Sequence, residues 1–523
     1  MVLPLFLLLV GTLCAQDAGS HEVADVLIVG GMVHDGHGKP GRKTDVALRG
    51  DRVIAVGDLV GDGWTGKRRI DAAGKIVCPG FIDLHNHSDW VILRKGLREN
   101  TSYITQGCTT IVTGNCGSGQ IDVASYLGRL AKKGAGTNVA HLLPQGSIRG
   151  RAMGGSYRRA PTDVELERMR ALVRKGMEDG AFGMTTGLIY TPGSFAKTDE
   201  IVELAKVMAK MGGIYASHIR GEGDHLIPAV KEAIEIGERA GCPVHISQFK
   251  ASTPPNWGKV KQSSALVEAA RARGVRVTCD QYPYRASSTS LAALVIPTWA
   301  RAGKHQDLVD RLEDKIAGAR IRRAIRQAFQ DRGGYDQILI AQYRKNPAWN
   351  GLTVAAAAKV AGMDPVELVC EMHKAGSVSA VAFSMCEADV EYVMRKPYVA
   401  TASDGGSKRK DATRPHPRSY GTFPRKIGYY AIEKQVLPLE QAIRSASGLP
   451  ADILGLDDRG YLEPGQAADV VVFDPETFRD RATFVDPHQL SLGVEWVFVN
   501  GVVAIEAGHR TGALAGRPLR KKR

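Results

Sequence analysis

His85-Asn86-His87 follows Gly80-Phe81-Ile82-Asp83-Leu84, so a mostly apolar run ends in two histidines one residue apart. On a strand, alternate side chains share a face, and both imidazoles then point the same way. At the C-terminal mouth of a parallel barrel, that pair offers two nitrogen ligands to a metal. Two polar residues at a strand end are the plainer reading of the same spacing. Other apolar runs also stop at metal-competent side chains. Cys116 stands in Thr113-Gly114-Asn115-Cys116-Gly117, His218 in Tyr215-Ala216-Ser217-His218, and Asp404 in Ala402-Ser403-Asp404-Gly405. A lone cysteine is usually a small buried hydrophobe. Beside two histidines it becomes a thiolate candidate, because a metal stabilises the deprotonated sulfur. Asp404 can bind metal, act as general base, or do both in sequence.

Positioning these groups requires a scaffold with many strand ends on one face. Eight β-rich runs meet that need: Ile82 to His87, Thr109 to Thr113, Val139 to Leu143, Gly183 to Thr186, Ile214 to His218, Val244 to Ser247, Val275 to Cys279 and Val399 to Ser403. Helical patterns such as Asp163 to Glu178 and Pro228 to Ala240 fall between them, as βα units require. The expectation is an α/β chain with a (β/α)8 barrel over 81–454, whose site lies where the strands end. Short strands precede it, at Val26 to Gly31, Asp45 to Leu48 and Val53 to Val56. Others return late, at Asp469 to Phe473 and at Trp496 to Val503 around the hairpin signal Asn500-Gly501. Segments 23–80 and 455–515 can therefore pair into one small β-sandwich built from both chain ends. An Arg- and Lys-rich stretch over 287–350 breaks the βα rhythm and reads as an insertion after strand seven, either a lid at the mouth or a peripheral decoration.

Composition narrows the partners. The 523 residues are 44% hydrophobic and 24% charged, ordinary for a folded chain, with a formal net charge of +14. Part of that charge sits in the tail 516–523, at Arg517, Arg520, Lys521, Lys522 and Arg523, which reads as a solvated terminus. No basic motif with interleaved aromatics and no zinc-finger spacing supports nucleic-acid binding. The run Leu3 to Val10, ending at Ala15, has the length of a signal-peptide core and is too short to span a bilayer. With 1–15 read as a leader and no later segment fit to cross a membrane, the expectation is an exported protein, periplasmic or secreted. Of eight cysteines, seven follow Cys14 without close spacing, which argues against a disulfide framework.

Taken together, these stretches resemble the N-acyl-D-amino-acid deacylases (D-aminoacylases) of the amidohydrolase superfamily. The resemblance runs from about Asp25 to Arg520. It is carried by Gly80 to His87, Gly107 to Gly117, Gly183 to Tyr190, Tyr215 to Asp224, Tyr282 to Ala286, Ser403 to Gly405 and His416 to Arg425. It implies a urease-like sandwich, the barrel, an insertion after strand seven, and zinc-dependent hydrolysis of a small-molecule N-acyl amide. It also implies that Cys116 and His218 hold a tightly bound zinc. His85 and His87 would then form a weaker second site, with Asp404 as general base. Lys250, Tyr282 and Arg418, with Tyr190 as a further candidate, match positions associated with the substrate carboxylate.

Two departures from that pattern fall at the barrel mouth. The resemblance implies Ile-Ser-His before the lysine of strand six, with the histidine as third ligand of the tight zinc. This chain reads Ile246-Ser247-Gln248-Phe249-Lys250. His245 lies three residues away, an offset that on a regular strand turns it toward the outer helices, unless a bulge intervenes. After strand three the resemblance implies Gly-His, where Pro144-Gln145 stands. The leading expectation is deacylation of N-acyl-D-amino acids. The rivals are hydrolysis of another linear or cyclic amide, and a non-catalytic member that binds an acylated amino acid without turnover.

Overall fold

A computed structural model describes residues 22–522, so the leader reading over 1–15 lies outside the described residues. Eight strands form the barrel in chain order: Phe81–Asp83, Cys108–Thr113, Asn138–His141 continued by Leu143–Pro144, Gly183–Gly187, Ile214–His218, Val244–Ile246, Val277–Gln281 and Val399–Thr401. All neighbouring pairs are parallel. Closure between strands one and eight comes from backbone bonds just past their ends, with the Asp404 amide donating to the His85 carbonyl at 2.8 Å and the His87 amide to the Gly405 carbonyl at 2.7 Å.

Alternation explains which side chains point inward. On strand six, Val244 and Ile246 join the large core that packs strands against helices. The same holds for Val277 and Cys279 on strand seven and for Tyr215 on strand five. With period two, the residues between them face the barrel axis. His245, between Val244 and Ile246, is therefore buried inside the barrel beside Thr278 and Asp280. This corrects its expected outer-face position: two apolar neighbours claim the helix-facing side. The helices carry their own boundary signals. The helix Asp163–Glu178 begins with a capping box between Thr162 and Glu165 and buries Met169, Val173 and Met177.

Both chain ends build a nine-stranded sheet, from Val23–Val33 through Ile76–Pro79 and again from Val470–Phe473 to His509–Arg510. The seam is the antiparallel pairing of Val470–Phe473 with Ile76–Pro79. The sheet curls so that its far edge returns: the Val53 amide donates to the Gln466 carbonyl at 2.9 Å. On the seam strand, Val470 and Val472 enter the sandwich core with Val26, Ile28 and Val46. Their neighbours Val471 and Phe473 face the barrel with Phe81. One strand thus serves two cores, which joins the sandwich to the barrel base.

The segment between strands seven and eight is larger than the expected 287–350. Ala286–Ser290 pairs antiparallel with Val378–Phe383, which pairs with Ile338–Tyr343, and the helices between them enclose a core of their own. The insertion therefore runs to Phe383. The basic tail is also not a free terminus. Leu519 donates to the Val139 carbonyl at 2.8 Å and Lys521 to the Gly180 carbonyl at 3.0 Å, while Arg517 pairs with Asp51 at 2.6 Å. All described cysteines are free thiols. No helix among the described residues is long and apolar enough to cross a membrane.

Candidate metal centre

Strand one ends against strand eight through one buried carboxylate. Asp83 accepts from the Ser403 amide at 2.8 Å, the Ser403 hydroxyl at 2.5 Å and the Asn86 side chain at 2.9 Å. That clamp brings His85 and His87 beside Asp404. His87 Nε2 lies 2.9 Å from Asp404 Oδ1, and His85 Nε2 lies 3.4 Å from the same oxygen. His85 Nε2 is also 3.2 Å from Cys116 Sγ. One ligand atom each from His85, His87, Cys116 and Asp404 lies within 4.8 Å of the others. On the far side of the sulfur, His218 Nδ1 approaches to 3.3 Å.

Three residues at this mouth share an uncommon backbone state. Cys116, Gln248 and Asp404 have φ of 53°, 55° and 50°. None is glycine, and a side chain with a Cβ rarely adopts left-handed backbone. Each case costs on the order of 1–3 kcal/mol and persists only where surrounding contacts fix it. Each lies just past a strand end, and the reversal aims the side chain over the mouth. Gly114 makes the turn before Cys116 possible: at φ 85°, a Cβ there would fall 1.9 Å from the Leu142 carbonyl oxygen.

The electrostatics match a cation site. Burial raises the Cys116 thiol, but the imidazoles of His85 and His218 outweigh it and hold the group well below the ordinary thiol range. Burial also acts to raise Asp404. Arg418, then His85 and His87, overcome it and keep the carboxyl well below the usual carboxylate range. Burial lowers His87, yet hydrogen bonds to Asp404 and Cys116 carry it up to about 9. Without a metal, protons on the imidazoles balance the thiolate and carboxylate. A divalent cation supplies the same balance and displaces those protons. The geometry agrees: zinc at its usual bond lengths in a tetrahedron sets its ligands roughly 3.3–3.6 Å apart, near the separations observed here.

Asp280, which the sequence reading passed over, supports this centre from strand seven. One oxygen takes His85 Nδ1 at 3.3 Å and His245 Nε2 at 2.9 Å, and the other accepts the Gln248 amide at 2.7 Å. His245 is thus a support beneath the site and not a substitute ligand. The Gln248 side chain itself reaches the centre, its Nε2 3.3 Å from His85 Nε2 and 3.6 Å from Cys116 Sγ. At the other departure, Gln145 sits outside the cluster and donates to Glu200 at 3.4 Å.

The four expected substrate contacts gather at the same mouth. Arg418 Nη1 lies 2.8 Å from Asp404 Oδ2. Lys250 pairs with Glu222 at 2.5 Å, and Glu222 was a second residue without a sequence signal of its own. Both cations stand over the Tyr282 ring, at 4.7 Å for Arg418 and 5.5 Å for Lys250. The buried Tyr282 hydroxyl has no hydrogen-bond partner among the described residues. Tyr190 bonds Thr289 at 2.9 Å and sets its ring edge-on to His218 at 5.1 Å. A cavity of about 200 Å³ opens beside the quartet, bounded by His87, Asp404 and Arg418 and, from the insertion, Ser288, Gln342 and Ser379. The insertion walls the cavity as well as decorating the barrel.

A (β/α)8 barrel with two histidines, a thiolate and a carboxylate at its C-terminal mouth defines a metal-dependent hydrolase scaffold. The sequence pattern described as "Amidohydrolase family" matches residues 68–505, and the chain belongs to that family. It is 36% identical over 518 residues to the D-aminoacylase of Alcaligenes xylosoxydans xylosoxydans, covering 95% of this chain and 97% of that one. It is also 36% identical, over 522 residues and with the same coverage, to the N-acyl-D-glutamate deacylase of that organism. Among solved structures, the N-acyl-D-glutamate deacylase of Bordetella bronchiseptica, complexed with zinc and a phosphonate mimic of the tetrahedral intermediate, superposes with a TM-score of 0.81. It is 33% identical, with 95% of this chain and 100% of that one covered.

Proposed function

We propose that this protein is a zinc-dependent hydrolase that deacylates N-acyl-D-amino acids to a carboxylate and a free D-amino acid. The observation that carries the reading is the convergence of His85, His87, Cys116 and Asp404 within 4.8 Å. The relatives' substrates and zinc support it. The chemistry a zinc ion supplies at such a quartet is polarisation of the amide carbonyl and activation of water.

The rest belongs to the chain's own residues. Asp404, held ionised, takes a proton from the attacking water and returns it to the leaving amine. Arg418 offers a carboxylate two parallel N–H donors, and Lys250 adds a point charge. Both cations now face protein carboxylates, Asp404 and Glu222. A substrate carboxylate that draws Arg418 away leaves Asp404 a stronger base. Free N-acyl-D-amino acids are therefore expected to react faster than their methyl esters.

The test is a panel of N-acetyl-D-amino acids, their L enantiomers and their esters, with dialysed and zinc-reloaded protein. Asp404→Asn is expected to lose turnover by roughly 10²-fold or more while keeping its fold. Absence of hydrolysis by zinc-loaded protein would overturn the reading. Equal rates for acids and esters would remove Arg418 and Lys250 from the substrate contacts. The same proposal places the mature enzyme outside the cytoplasm, on the strength of the Leu3 to Val10 run and Ala15. Sequencing the mature N-terminus from a fractionated culture checks it.

A further inference from the structure

The geometry points to a specific metal arrangement: the principal zinc of this chain is held by His85, His87, Cys116 and Asp404, and Gln248 closes the neighbouring Cys116–His218 position. This reverses the ligand order that the resemblance implies, and it rests on the zinc-hydrolase reading above. Three observations carry it.

The first is the count of donors on each side of the sulfur. The quartet offers four donors that zinc takes readily, two imidazoles, a thiolate and a carboxylate. The other side offers the same thiolate and His218 Nδ1, and then Gln248. A carboxamide oxygen is a poor partner for zinc beside a thiolate, where imidazole suits the metal better.

The second is the direction of the Gln248 amide. The Gln248 amide nitrogen lies 3.6 Å from Cys116 Sγ, toward which it donates, and 3.3 Å from His85 Nε2. A thiolate accepts and cannot donate, so the NH₂ of Gln248, not its oxygen, faces the sulfur. Its left-handed backbone, fixed by the amide bond to Asp280 at 2.7 Å, holds it there. Gln248 thus donates to the thiolate where a metal would otherwise approach. His245 cannot take that place, since both of its nitrogens are engaged by Thr278 and Asp280.

The third is support behind each set. His85 is oriented by Asp280, and Asp83 ties the strand carrying both histidines to the one carrying Asp404. His218 Nε2 has no hydrogen-bond partner among the described residues. The carboxylate 3.3 Å away, Glu222, is taken by Lys250 at 2.5 Å. Ligands oriented by partners bind metal more tightly than ligands without them.

The experiment uses the full chain, dialysed against a chelator of graded strength. Its readouts are zinc per chain and the thiolate-to-cobalt charge-transfer band of cobalt(II)-loaded protein. His87→Ala is expected to weaken zinc retention by more than the roughly 10–100-fold that losing an outer-shell partner costs. His218→Asn, chosen to spare the fold, is expected to keep zinc retention within about threefold of the parent and to keep the band. Gln248→His is expected to add a second zinc per chain at saturating metal. Circular dichroism of each variant confirms that it is folded, and His87→Gln replaces His87→Ala if the alanine variant is not. Zinc lost in His218→Asn but kept in the His87 variant overturns the assignment, as does an unchanged zinc count in Gln248→His. Zinc held as expected without hydrolysis of any N-acyl-D-amino acid leaves the assignment standing and sinks the deacylase reading instead.

Discussion

At the scale of single residues, Asp280 is the most exacting support of the site. Its two oxygens serve His85, His245 and the Gln248 amide, and these contacts outweigh burial to hold it well below the usual carboxylate range. Asp280→Asn keeps the volume but places an NH₂ against donors. Zinc affinity should fall about 10–100-fold, with little change in the fold. A chelator titration followed by zinc fluorescence measures it, and unchanged affinity would show that His85 is oriented by strand geometry alone. His85, His87, Cys116 and Asp404 were legible in the sequence because each follows an apolar run that a strand must bury. Asp83, Asp280 and Glu222 were not, because the partners that give them their roles, Ser403, His85 and Lys250 in turn, lie far along the chain. For Asp83 and Asp280 the only local trace is a carboxylate in a buried segment.

Elements show where local reading ends. The helix Asp163–Glu178 matches its sequence pattern because cap, acidic first turn and apolar spacing all lie within it. His245 needed more: its orientation follows from Val244 and Ile246, once strand six is known to be covered by helices. The insertion ran past 350 because Val378–Phe383 pairs with Ala286–Ser290, a contact no local window contains. One helical residue carries a stability prediction. Lys426, in the π-helical stretch Arg425–Glu433, is 1% exposed and its Nζ has no partner among the described residues. Burial lowers it from 10.5 to about 7. Between those values the unfolded chain holds a proton that the folded chain has lost, so stability rises with pH across that window. Below about 7 both states are protonated, and folding carries the full penalty of burying the charge. Lys426→Met should therefore stabilise the protein by roughly 1–3 kcal/mol at neutral pH and flatten the rise between pH 7 and 10. Denaturant midpoints across that range measure both effects. A parallel, unshifted profile would mean that Lys426 has a partner in solution.

For the whole molecule, both chain ends act as fasteners. The late strand Val470–Phe473 faces the sandwich core with one set of side chains and the barrel core with the other, so neither body is complete without it. The β-rich runs were readable in the sequence; their pairing with the first strands was an inference from finding such runs at both chain ends. The tail shows the opposite outcome. Its charges read as solvated, yet the backbone near them is used: the Val139 amide donates to the Arg517 carbonyl at 3.0 Å, and Leu519 and Lys521 donate in turn to Val139 and Gly180. Leu519 packs with Ile82, Val112 and Ala140 in the barrel interior. The strand edges at the barrel base, far from the cavity, have backbone groups that need partners, and the tail supplies them. Deleting the chain after Gly516 removes these three backbone bonds, each contributing about 1 kcal/mol net, and uncovers Leu519's neighbours. The expected loss is roughly 3–5 kcal/mol, seen as an earlier unfolding onset in denaturant. Zinc content and turnover at low temperature should stay near those of the full chain, because the removed contacts lie at the opposite end of the barrel from His85 and Asp404. Loss of zinc before any loss of stability would instead couple the base of the barrel to its mouth. The Arg517–Asp51 pair is exposed, so high salt should recover little of the difference between the two proteins.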